Sequence, residues 1–85
     1  MKQFSYTITA PDGIHAVPAS LLVQKASQYN SFITISKETI EADMTKVMKL
    51  LSLNISQGDL VVITAEGEDE DLAISELKFF FEQYL

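Results

Sequence analysis

Apolar and polar residues alternate at the start of the chain, where Phe4, Tyr6 and Ile8 are separated by Ser5 and Thr7 and followed by Thr9. A period of two belongs to a strand with one covered face, so a first strand is predicted to run to about Thr9. The pattern breaks at Pro11-Asp12-Gly13. Proline restricts φ, the aspartate side chain bonds to nearby amides and glycine is conformationally free, so this loop delivers Ile14 and His15 to the next element. Ala19, Leu22, Val23 and Ala26 then fall at i, i+3, i+4 and i+7, which predicts a helix from Ala16 to about Tyr29 with Asn30 as its stop. Pro18 is compatible with the first turn, because its missing N–H has no intrahelical partner there.

Alternation returns from Phe32 to Ser36, and Lys37-Glu38-Thr39 is short enough to join it to a second brief strand at Ile40 to Asp43 as a hairpin. Asp43 or Thr45 can cap a short helix that carries Val47, Met48, Leu50, Leu51 and Leu53 and stops near Asn54. Gln57-Gly58-Asp59 reads as a turn, and the β-branched apolar run Leu60 to Ala65 suits an interior strand. Glu68, Asp69, Glu70 and Asp71 open a final helix, where negative charge meets the positive end of the macrodipole. On it Ala73, Leu77, Phe80 and Tyr84, with Ile74 and Phe81 beside them, form a broad apolar stripe. Phe79, Phe80 and Phe81 cannot all face one way, so at least one of them is partly exposed. The order β-α-β-β-α-β-α predicts an α/β (α+β) open-faced sandwich with its helices on one face of a single sheet.

Eighty-five residues make one domain, 1–85, with a single thin core. Twelve acidic against six basic residues leave a net charge of −6, the wrong sign for a nucleic-acid binder, and point to solubility and docking on protein surfaces. Without cysteine there are no disulfides, thiolate nucleophiles or cysteine-held metals, which fits a reducing cytoplasm. No apolar run matches a signal peptide or the roughly 20 residues of a membrane span, so no direct membrane insertion is expected. The acidic run from Glu66 to Asp71 lacks the spacing of a calcium loop and is read as helix-start charge on a solvated face; no metal and no cofactor are expected.

The chemistry concentrates at His15, the only histidine. A lone histidine is ordinarily a surface or hydrogen-bonded residue, but this one is predicted at a helix N-terminus. The backbone N–H groups of Ala16 and Val17, with about half a positive charge from the helix, would hold a phosphoryl group acquired by the ring.

The string Gly13-Ile14-His15-Ala16-Val17-Pro18-Ala19 resembles the active-site motif of HPr, the histidine-containing phosphocarrier of the bacterial sugar phosphotransferase system, usually Gly-Leu/Ile-His-x-Arg-Pro-Ala. The stretch from Gln57 to Glu70 is similar to the family's closing strand and helix entry, and the likeness extends over essentially the whole chain. The resemblance implies a four-stranded antiparallel sheet with three helices. It also implies phosphorylation of His15 by the first enzyme of the phosphoenolpyruvate-dependent system and onward transfer to sugar-specific A domains, by a monomer that is a substrate of its partners and not itself an enzyme. The docking positions it implies are Ala16, Val17, Ser20, Val47, Met48 and Leu51.

Two positions depart from the family pattern. Val17 stands where the motif carries arginine, so bidentate, charge-assisted bonds to the phosphoryl oxygens are missing, and Lys46 or Lys49 is left as possible charge support. Lys46 stands where many members carry a regulatory serine, so ATP-dependent phosphorylation there is expected to be absent. Two functional readings stay open beside the active carrier. One is a diverged regulatory or binding protein with weak phosphotransfer. The other, a small anion-handling hydrolase, is disfavoured because the chain contains no arginine.

Overall fold

The computed structural model describes residues 1–85 and contains β1 (Lys2–Thr7), α1 (Ala16–Ala26), β2 (Phe32–Lys37), β3 (Ile40–Asp43), α2 (Val47–Leu51), β4 (Leu60–Glu66) and α3 (Glu70–Tyr84). The strands form one antiparallel sheet in the order β1-β4-β2-β3. The β-branched run does lie inside, with Ile63 paired to Phe4 on one side and to Ile35 on the other. Period two sends Ile33, Ile35, Val61, Ile63 and Ala65 into the core. Against this face lie Ala19, Leu22 and Ala26 of α1, Leu50 of α2, and Ala73, Leu77 and Phe81 of α3, all part of one continuous cluster. The open-faced sandwich predicted from the alternation of elements is the architecture found.

Local details differ from the pattern. On α3 the buried line is Ala73-Leu77-Phe81, whereas Phe80 is half-buried and Tyr84 is exposed. Phe81 takes the central place because its ring meets Phe4 and Tyr6 edge-on, each at 5.6 Å between centroids. Such edge contacts add to the stabilisation from burial alone. Phe80 and Tyr84 instead lie against each other at 4.7 Å. Phe79 is the member of the trio that faces solvent.

Helix α1 ends at Ala26, before Tyr29, as its last turn tightens through Gln28 N–H to Lys25 O and Tyr29 N–H to Ala26 O. Asn30 does not supply the left-handed stop; the carboxylate of Asp69 captures the amides of Asn30 and Ser31 at 2.8 and 2.9 Å. The Ser31 hydroxyl, which also donates to this carboxylate, together with those two amides holds the Asp69 carboxyl below the usual range. The acidic run is therefore not only a solvated face: Asp69 ties the entry of α3 to the start of β2, and Glu70 accepts from the Gly67 amide. Asp43 and Thr45 do not cap α2 either. Asp43 accepts from both the amide and the hydroxyl of Thr45, and Lys46 occupies the N-cap without a side-chain bond. Asn54 does adopt the left-handed conformation, at φ 51°, just beyond α2, and Leu53 is buried outside the helix.

Candidate functional site around His15

The loop between β1 and α1 is shaped by two neighbours that sequence reasoning could not pair with it. Gly13 turns at φ +62° with its α-carbon against the backbone of Ile55, so close that a β-carbon would lie 2.2 Å from the Ile55 oxygen. The next amide, that of Ile14, donates to the same oxygen at 3.0 Å, and the Ile14 side chain is buried. Upstream, the amides of Thr9 and Ala10 both donate to the Leu85 oxygen. His15 follows directly on this anchored segment.

His15 is the N-cap of α1, with extended backbone, and its carbonyl accepts the first helical bond, from Ala19, at 2.9 Å. Its exposed side chain makes no capping hydrogen bond, which leaves the ring free. Ala16 and Val17, the first two residues of the helix, have amides with no intrahelical acceptor, and Pro18 has no amide hydrogen. The site thus offers one accessible imidazole beside two unpaired N–H donors at a positive helix end.

Beside the ring is an open groove of about 240 Å³ whose walls include Asp12, Val17, Leu21 and Tyr84. Val17 is 64% exposed and Met48, on α2, 74% exposed. Ala16 and Ser20 are exposed as well, whereas Val47 and Leu51 are half-buried against the core. Helix α2 packs against α1 and carries Lys49, with Lys46 at its N-cap, both exposed. Leu21 is four residues beyond Val17 on the same helical face, a spacing that could have identified it from the sequence. Nothing local could have identified Tyr84, which comes from the far end of the chain. A larger cleft, about 520 Å³, separates α1 from α3 and is walled by Lys25, Glu76, Phe79 and Phe80, without His15. There Glu76 accepts from Tyr29 and Lys25, which lowers its own pKa, while burial and the nearby carboxylate push the Tyr29 phenol upward.

The family model of the HPr component phosphorylation site of the phosphotransferase system matches residues 2–83. The chain belongs to the HPr family. The phosphocarrier protein HPr of Borreliella burgdorferi is 40% identical over 77 residues, 91% of this chain and 90% of the relative. That of Mycoplasma pneumoniae is 34% identical over 85 residues, 99% of this chain and 97% of the relative. The crystal structure of HPr-C-His from Thermoanaerobacter tengcongensis superposes with a TM-score of 0.93 at 38% identity, covering 98% of this chain and 93% of that one. No helix of this HPr-family chain is long and apolar enough to cross a membrane.

Two hydroxyls that flank Lys46 in the sequence are engaged internally. Thr45 donates to Asp43 at 2.7 Å, and Ser52 donates to the Lys49 oxygen at 2.6 Å. An HPr-type serine kinase with ATP is therefore expected to leave the protein unmodified, as checked by intact mass. Lys46→Ser is expected to create acceptance, because that residue is exposed at the head of α2. Efficient labelling of Thr45 or Ser52 in the unmodified sequence would contradict this.

Proposed function

We propose that the protein is a cytoplasmic phosphocarrier that accepts a phosphoryl group on His15 from the first enzyme of the phosphoenolpyruvate-dependent sugar phosphotransferase system and passes it to sugar-specific A domains. The observation that carries this reading is the accessible His15 ring at the N-terminus of α1, beside the unpaired amides of Ala16 and Val17. The neutral ring nitrogen attacks phosphorus, the bond from phosphorus to the donor's leaving group breaks, and the helix amides face the charge that His15 acquires. A carrier of this kind needs positioning and charge stabilisation more than catalytic groups, since its partners supply the rest. The surface from Ala16, Val17 and Ser20 across to Val47, Met48 and Leu51 serves as the dock, with Lys46 and Lys49 adding positive charge. The acceptor role makes the protein a substrate of transferases, not an enzyme.

Incubation with phosphoenolpyruvate and a first enzyme from the same cell is expected to add one acid-labile phosphoryl group, seen by intact mass at neutral pH and lost in acid. His15→Ala is expected to gain none. Labelling that persists in His15→Ala, or its absence in the unmodified protein, would refute the carrier reading.

The second reading, a diverged regulatory member, is favoured by the exposed Val17 in a chain without arginine. It predicts the same site with transfer too slow to support sugar uptake, which rapid-mixing kinetics separate from the first.

A further inference from the structure

Lys37 ends β2 with a largely covered side chain, and its ammonium reaches three oxygens: Asn54 O at 3.0 Å, Leu53 O at 3.4 Å and the Asp59 carboxylate at 2.9 Å. An ammonium has three donors, so all three are used. The oxygens come from the two ends of one loop. Leu53 and Asn54 leave α2, Asp59 enters β4, and Ile55 lies between them. Asp59 closes the loop further by accepting from the Ser56 amide at 2.8 Å with the same carboxylate oxygen that meets Lys37.

Ile55 is the residue on which the His15 loop rests. Its oxygen binds the Ile14 amide, and its backbone occupies the space beside Gly13. The same loop holds the strand that leads to His15, through Ile8 N–H to Asp59 O at 2.9 Å, Gly58 N–H to Ile8 O at 2.8 Å and the Gln57 side-chain amide to Thr9 O at 3.1 Å.

We propose that Lys37 is a positioning residue for His15: by stapling both ends of loop 53–59 it fixes Ile55, and through Ile55 the Gly13-Ile14 seat that aims the imidazole. As a statement about phosphotransfer this rests on the carrier reading; as a statement about His15 geometry it does not.

The test compares Lys37→Met, Asp59→Asn and Lys37→Arg in the full chain. In Lys37→Met, hydrogen exchange at the Ile14 amide is expected to accelerate at least about tenfold more than at Ile63 in the central strand, because a local staple opens a local unit. The His15 ring resonances are expected to move. Phosphotransfer at saturating first enzyme is expected to fall roughly three- to tenfold with KM within about twofold, as misplaced reacting groups lose rate more than binding. Asp59→Asn, which keeps the shape but removes one charge, is expected to act in the same direction. Lys37→Arg is expected to restore exchange, ring resonances and rate.

Exchange at Ile14 that only tracks Ile63 would overturn the proposal, as would an opened Ile14 with ring resonances and transfer unchanged. If the unmodified protein takes no phosphoryl group, the carrier reading fails. The Ile14 exchange and His15 resonances, measured with no partner present, then still decide whether Lys37 positions His15.

Discussion

Gly13→Ala is expected to lower stability by about 3 kcal/mol, a drop in Tm of roughly 15 °C, and to reduce phosphotransfer at His15 with it. Two effects act at one atom. The backbone at Gly13 is left-handed, at φ +62°, where an alanine costs roughly 1–2 kcal/mol. The new β-carbon would also lie 2.2 Å from Ile55 O and 2.8 Å from Ser56 Cα, both backbone atoms, so the loop and its support must separate. Separation breaks the Ile14 amide bond to Ile55, a further loss of about 1 kcal/mol. Gly58→Ala is the control: φ is +89°, but nothing lies within 4 Å of the added carbon, so only the conformational part of the cost applies. Thermal melts of both variants, with single-turnover transfer measured well below each Tm, check the expectation. Equal melting points for the two variants would show that contact with Ile55 does not matter.

Val17→Arg is expected to speed phosphotransfer, or to lengthen the lifetime of the phosphorylated form, by several-fold to roughly a hundredfold, since a charge-assisted bond contributes about 1.5 to 3 kcal/mol when well formed. Val17 is exposed on the wall of the groove that contains His15, so a guanidinium there has room beside the ring on which the proposed phosphoryl group would sit. The opposing effect is at the partner. An apolar patch matched to Val17 would leave an arginine poorly solvated in the complex. Stopped-flow transfer with the cognate first enzyme, and with one whose own HPr carries the arginine, separates the two. A gain with both enzymes assigns the effect to phosphoryl stabilisation, and a gain with the foreign enzyme alone assigns Val17 to docking. No gain with either would show that the phosphoryl group is held without help from this position.

The sequence by itself determined which segments are strands and which are helices, because hydrophobic period reflects backbone geometry within a few residues. Phe4-Tyr6 and the run from Leu60 to Ala65 could cover one face of a sheet only as strands, and Ala19-Leu22-Ala26 only as a helix, although the first strand ends at Thr7, two residues before the expected Thr9. It also placed His15 at the head of α1, since Pro11-Asp12-Gly13 and Pro18 bracket a helix start. What tertiary structure decided concerns choices between local options of nearly equal merit and contacts between remote segments. Phe80 and Phe81 are adjacent and equally apolar; only the rings of Phe4 and Tyr6 on β1 select Phe81 for the core. Asn30 looks like a stop in sequence, yet the reversal there is held by Asp69, on the other side of the sheet's central strand in chain order. Lys37 reads as a turn residue and works as a staple because loop 53–59 folds over it. Tyr84 joins the His15 groove because α3 returns across the sheet beside α1. Periodicity reports the angle at which each side chain leaves its own backbone; which atoms wait at the end of that direction depends on how the whole chain packs.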